Sequence, residues 1–179
     1  MVESRKLITA TLFGVVIAVV KGPFQPPYAD FLIIVEAPIL GLSFLLLGRG
    51  GATYTEVVNG LLQSGVKASF FPFSLLLAVM YGALVDVLGT VLRAKQGDHA
   101  DSRRMVGALG IASVITGLTA AYTSIELKIV VYNPSLVYVV YVPIVVWGIL
   151  SGALGGYISA RLWERNLKAR FRGLQPPIG

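Results

Sequence analysis

Four polar residues recur along one side of an otherwise apolar stretch: Glu56, Asn59, Gln63 and Lys67. At about 100° per residue in an α-helix they fall within about 80° of one another, so one helix face carries a carboxylate, two amides and an ammonium. Such a set donates and accepts hydrogen bonds and pairs charges, which suits non-covalent recognition of a polar molecule. Glu36 adds a second carboxylate two residues before Pro38, where the ring leaves a carbonyl of the preceding turn without its helical donor. Asp86, between Gly82 and Gly89, is a third acid inside an apolar run. The usual groups of hydrolytic, redox and metal chemistry are missing. There is no cysteine, the single histidine is His99, and neither a phosphate-binding glycine loop nor a His/Glu metal spacing occurs. No catalytic residue, cofactor or metal is expected.

The elements that carry these residues belong in a bilayer. The chain is 55% hydrophobic and 13% charged over 179 residues, and its net charge of +6 comes from basic residues that sit between apolar runs and at the ends. That placement suits anionic lipid better than nucleic acid. A helix crosses a hydrocarbon core of ~30 Å with about 20 residues, fewer where lysines snorkel. Division at charged and Pro/Gly-rich breaks predicts an all-α integral membrane protein in one domain. Its six transmembrane helices cover residues 7–20, 31–47, 53–68, 71–92, 105–123 and 136–162, with a basic tail at 163–179. The first run follows Arg5 and Lys6 like a signal peptide but shows no small-residue cleavage site, so it reads as a retained helix. The third is the most polar of the six. With six spans and both termini cytoplasmic, 12 of the 15 Lys and Arg residues fall inside, and only Lys21, Lys67 and Lys128 fall outside. This positive-inside bias predicts both the parity and the orientation.

Ionisable groups at membrane depth cost roughly 2.5–3.5 kcal/mol each on insertion scales, so they should face a partner, a cavity or water. Glu56, placed near the inner surface, reads as a structural acid that Arg49 or Arg93 would neutralise. Asp86, in the inner half of its helix, reads as a structural or coupling residue with a cytoplasmic-side partner. Gln63 and Lys67, toward the outer half, are the better solute contacts. Glu36 and Lys67 share a depth and either pair with each other or are held apart by a polar ligand. Tyr28, Tyr122, Tyr132, Asn133, Tyr138, Tyr141 and Trp147 gather toward the outer face, where they form an interfacial aromatic belt or a stacking box for a flat solute. Ala10, Gly14 and Ala18 make a small-residue stripe on the first helix, for a neighbouring helix or a separate subunit. Gly148, Gly152 and Gly156 make a denser stripe on the sixth, read as internal packing. The linker from Arg93 to Arg104, with His99, is polar, and no chemistry is assigned to it.

Three segments resemble the substrate-binding S components of energy-coupling factor (ECF) transporters, in particular the YkoE-type component associated with hydroxymethylpyrimidine and thiamine uptake. They are GRGGATYTEVVNGLLQSG (Gly48 to Gly65), MYGALVDVLGTVLRAK (Met80 to Lys95) and GILSGALGGYISARLWE (Gly148 to Glu164). The similarity spans roughly Glu36 to Glu164, whereas Tyr28 to Glu36 departs from the pattern where a lid would tune specificity. The resemblance implies capture of a small water-soluble solute, with Ala10, Gly14 and Ala18 facing a membrane coupling subunit and a partner ABC ATPase supplying the energy. Glu56 and Asp86 match acidic positions of the pattern, which assigns neither a ligand contact. Without the resemblance, two further readings stand: an autonomous ion-coupled carrier or channel using Glu36, Glu56 and Asp86, and a noncatalytic assembly subunit.

Overall fold

The computed structural model describes residues 2–24, 31–66, 72–126 and 137–169. Within them lie six α-helices: α1 (Val2–Lys21), α2 (Ile33–Leu47), α3 (Gly51–Val66), α4 (Phe73–Val91), α5 (Ser102–Glu126) and α6 (Val137–Leu162). A π-helical turn, Trp163–Leu167, prolongs α6. Between α4 and α5 stands a two-stranded antiparallel hairpin, β1 (Lys95–Gln96) and β2 (His99–Ala100), which pairs Lys95 with Ala100 and Gln96 with His99. Six helices are what the hydropathy breaks predict, and the most polar of them, α3, is continuous.

α2 occupies the middle of the bundle. Apart from Glu36 and Ser43 it is apolar on every side, and a helix with no polar face is stable only when surrounded. It packs against α1, α3 and α6, while α1 also packs on α3, α3 on α4, α4 on α5 and α5 on α6. Ala37, Leu40, Phe44 and Leu45 of α2 form the core with Ile17, Tyr81, Val85, Met105 and Leu109.

The surface is inverted relative to a water-soluble bundle. Leu12, Val16 and Val19 on α1, Leu76, Val87 and Val91 on α4, and Val142, Ile149 and Leu150 on α6 are exposed. Ser43, Thr55, Glu56, Asn59 and Ser113 are buried. Water would favour the opposite distribution; hydrocarbon favours this one, because helix backbones satisfy themselves and polar side chains seek one another inside. The segments Phe73–Val91, Ser102–Glu126 and Tyr141–Leu167 are each long and apolar enough to cross a membrane.

Small residues set the tightest approaches. A Cβ on Gly152 would stand 2.5 Å from Gly110 Cα, and one on Gly156 2.5 Å from Val106 N, so the glycine stripe of α6 is filled by α5 of the same chain. At the end of the bundle that holds the hairpin, α2 reverses into α3 over Gly48 (φ 77°) and Gly50 (φ 88°), a left-handed geometry that only glycine adopts without strain.

The segment 93–104 is more than a solvated linker. Trp163 Nε1 donates to Asp98 O at 3.0 Å, Ala100 N donates to Glu164 Oε1 at 2.7 Å, and Lys95 lies over the Trp163 ring while its ammonium donates to Leu45 O. The hairpin thereby ties the C-terminal ends of α2 and α6 together. Burial pushes the Lys95 ammonium below its ordinary pKa, assisted by the charge of Lys6 and opposed by Asp98. Asp101 starts α5 by accepting from Arg103 N (3.0 Å) and Arg104 N (3.3 Å), so this helix begins before the predicted residue 105.

Candidate functional site

A chain of buried polar side chains runs through the bundle interior where α1, α2 and α3 meet. Lys21 Nζ donates to Glu36 Oε2 at 2.7 Å, with the Glu36 side chain 3% exposed. Glu56, 0% exposed, is the next acid: Asn59 Nδ2 donates to its Oε2 at 2.7 Å, and Gln63 Nε2 donates to Asn59 Oδ1 at 2.6 Å. The spacings of three and four residues stack these side chains along one face of α3, so the predicted polar face exists and is turned inward. The Glu36 carboxyl acts on Glu56 through its charge and through side-chain contact, and more strongly than the Lys21 charge does. No donor reaches Glu56 Oε1. The Tyr81 hydroxyl lies in the field of both acids and bonds to Ser113 Oγ at 2.8 Å, joining α4 to α5 below them.

Local packing brings these residues together. A Cβ on Gly14 would stand 2.7 Å from Thr55 O and 2.8 Å from Val58 Cβ, so α1 lies almost backbone to backbone on α3. Thr55 Oγ1 bonds to Ser43 Oγ at 2.8 Å and to Ala10 O at 3.3 Å, and Thr11 Oγ1 meets Tyr54 OH at 2.8 Å. Ala10 and Gly14 are buried in this contact and Ala18 is half-buried, so the chain's own α3 occupies the stripe that a separate coupling subunit would have needed. The row of α1 left open is Ile8, Leu12, Val16 and Val19.

Glu56 therefore has different neighbours from those its sequence position suggests. Arg49 and Arg93 are exposed at the hairpin end, while the Glu56 side chain runs up its own helix face to Asn59 and toward Glu36. An amide three residues along fixes that direction. Glu36 takes Lys21 as its partner; Lys67, the predicted one, lies outside the described residues. The Lys21 contact was legible in principle: a lysine ends α1 and a carboxylate lies near the start of α2, so the short connection returns them to the same end of the bundle.

Asp86 belongs to a separate construction. Gly82 lets α4 approach α3 so closely that a Cβ there would stand 2.6 Å from Ala52 O. One turn further on, Asp86 Oδ1 accepts from Ala52 N at 3.1 Å, and Oδ2 accepts from Thr53 N at 2.8 Å and Thr53 Oγ1 at 2.6 Å. It caps the first turn of α3 from a neighbouring helix, meeting orphan N–H groups with a full negative charge. Its partner is thus backbone, not a cation.

The aromatic candidates are dispersed. Trp147 Nε1 donates to Phe31 O at 3.2 Å, and its ring meets Phe31 edge-on at 5.7 Å, so Trp147 secures the start of α2. Tyr122 is 59% exposed and Tyr141 is half-buried. Asn133, Tyr28, Tyr132 and the Tyr138 side chain lie outside what is described. Among the described residues Phe31 and Trp147 form the ring pair, and no group of three or more His, Asp or Glu side chains is placed to hold a metal ion.

Comparison with family models, with curated proteins and with solved structures finds no match for this chain.

Proposed function

We propose that this protein is the solute-capture subunit of an ECF-type importer: a multi-pass protein of the cell membrane with six spans and both termini cytoplasmic. Its solute is a small water-soluble vitamin or precursor of the thiamine or hydroxymethylpyrimidine kind. The observation that carries the reading is the buried line Glu36, Glu56, Asn59 and Gln63 inside a bundle whose outer surface is apolar. Polar groups placed there at substantial cost suit a ligand that exchanges its water shell for them. Affinity comes from a few buried hydrogen bonds, because a ligand lacking the matching groups would leave protein groups unpaired.

The protein hydrolyses nothing in this scheme. A partner ATPase and a membrane coupling subunit reorient the loaded bundle so that the site opens inward. Since α3 covers Ala10 and Gly14, docking falls to the open α1 row of Ile8, Leu12, Val16 and Val19. Thermal unfolding of the detergent-purified protein against vitamins and their precursors tests the reading. A ligand that binds only the folded state at about 100 times its Kd adds about 2.7 kcal/mol. A saturable rise in Tm that is lost in Glu36→Gln or Gln63→Ala supports it, and a flat response across the panel from a well-folded sample sinks it.

The facing acids Glu36 and Glu56 also favour a second reading, an ion-coupled carrier that works alone. Uptake by liposomes that hold this chain as their sole protein, driven by a pH or sodium gradient, would establish that reading in place of the first.

A further inference from the structure

Glu56 Oε1 is the one carboxylate oxygen among the described residues that is fully buried and met by no hydrogen-bond donor. Its surroundings make this costly. Glu56 is 0% exposed, its other oxygen is already used by Asn59, and the charged group that acts on it most strongly is another carboxylate, Glu36. Two acceptors that face each other across the α2–α3 contact with no donor between them are disfavoured twice, by charge repulsion and by an unmade hydrogen bond. Asp86 shows that the fold can satisfy a buried carboxylate: three donors of α3 converge on it. Asn59 and Gln63 have their amide nitrogens committed down the column, toward Glu56 and Asn59 respectively, so these N–H groups are spent on the printed contacts.

We propose that the Glu36–Glu56 pair is the seat for a nitrogen group of the solute that brings N–H donors or positive charge, of the kind found in an amidine, an aminopyrimidine or a protonated amine. The inference rests on the capture reading and narrows it to one chemical class. The group enters with its N–H bonds directed at Glu56 Oε1 and the facing Glu36 carboxylate, and it replaces repulsion between two acceptors with charge-assisted hydrogen bonds. Lys21 holds Glu36 at 2.7 Å from the opposite side and fixes where that carboxylate stands. The Asn59 amide does the same for Glu56. An acceptor-only solute of the same shape would add a third acceptor to the cluster and is excluded by it.

The test compares matched solutes on the unaltered protein. Hydroxymethylpyrimidine, which carries a ring amino group, is set against its oxo counterpart, in which a carbonyl stands in place of that amino group; thiamine and oxythiamine form the second pair. Binding is read by thermal stabilisation and by equilibrium dialysis. The inference expects the amino member of a pair to bind at least about tenfold more tightly than the oxo member, the size of one charge-assisted hydrogen bond. Glu56→Gln, which adds an N–H to the pair, should abolish that discrimination and leave the ligand-free protein at least as heat-stable as the wild type. Equal affinity for both members overturns the inference and leaves solute capture standing. Binding by neither member overturns capture of this solute class and the inference with it. Stabilisation by sodium chloride over choline chloride, or by lowered pH, that Glu56→Gln removes without any solute effect assigns the seat to a small cation or a proton and also overturns it.

Discussion

Glu56 and Asp86 are both acids buried among apolar helices, yet the bundle treats them in opposite ways. Asp86 spends its oxygens on Ala52 and Thr53 at the start of α3, and its negative charge lies where the helix dipole is positive. Glu56 receives one amide donor, faces a second carboxylate, and keeps one oxygen unmet. Burying a carboxylate is expensive in either case, but only Asp86 recovers that cost within the fold. The contrast separates an acid that assembles the bundle from one that the bundle holds for something else.

The sharpest way to break the contrast is to remove each acid in turn. Asp86→Ala should lower stability by about 2–4 kcal/mol, because it strips a cap and leaves buried N–H groups without an acceptor. A fall in Tm in detergent well beyond that of Glu56→Gln checks this. Filling Gly14 comes next: Gly14→Leu drives a side chain into Thr55 O and Val58 and should cost about 1–3 kcal/mol. It should weaken solute binding as well, because α1 carries Lys21 to Glu36. Thr53→Val removes one of the three donors to Asp86 and should cost about 1 kcal/mol while leaving solute affinity within about twofold.

The smallest expected effect lies at the hairpin end. The folded protein holds the Lys95 proton less tightly than the unfolded chain does, since burial lowers its pKa from the ordinary 10.5. Between the lowered value and 10.5 the unfolded chain binds more protons, so stability should rise with pH through that window and level off above it. Thermal unfolding of wild type and Lys95→Met across the alkaline range checks the sign, and the slope should be shallower in the variant.

Much of the helical framework was legible from where apolar runs break, because the need to satisfy a backbone in hydrocarbon leaves few alternatives. The inward polar face of α3 was legible for the same reason: Glu56, Asn59 and Gln63 recur at helical spacing in a segment too polar to face lipid on that side. What the sequence did not disclose depends on distances between helices. Depth counted along the chain set Glu56 beside Arg49 and Arg93, but the direction a long side chain takes is decided by the nearest donor, here Asn59. The small stripe on α1 was visible as a close-packing surface, yet a stripe does not name its occupant, and Thr55 and Val58 of α3 fill it. Asp86 announced itself as an acid in an apolar run, whereas its role needed the approach that Gly82 permits. The hairpin at 93–104 was read as plain linker because two-residue strands leave no periodicity to detect.

The account stands on Glu56 being held for a solute while Asp86 and its partners hold the fold. The most direct measurement is thermal stabilisation by hydroxymethylpyrimidine, run side by side on the wild type, Glu56→Gln and Thr53→Val. The account predicts a saturable shift in the wild type and in Thr53→Val, the latter from a lower starting Tm, and no shift in Glu56→Gln despite an undiminished Tm. An equal shift in Glu56→Gln and the wild type would contradict it.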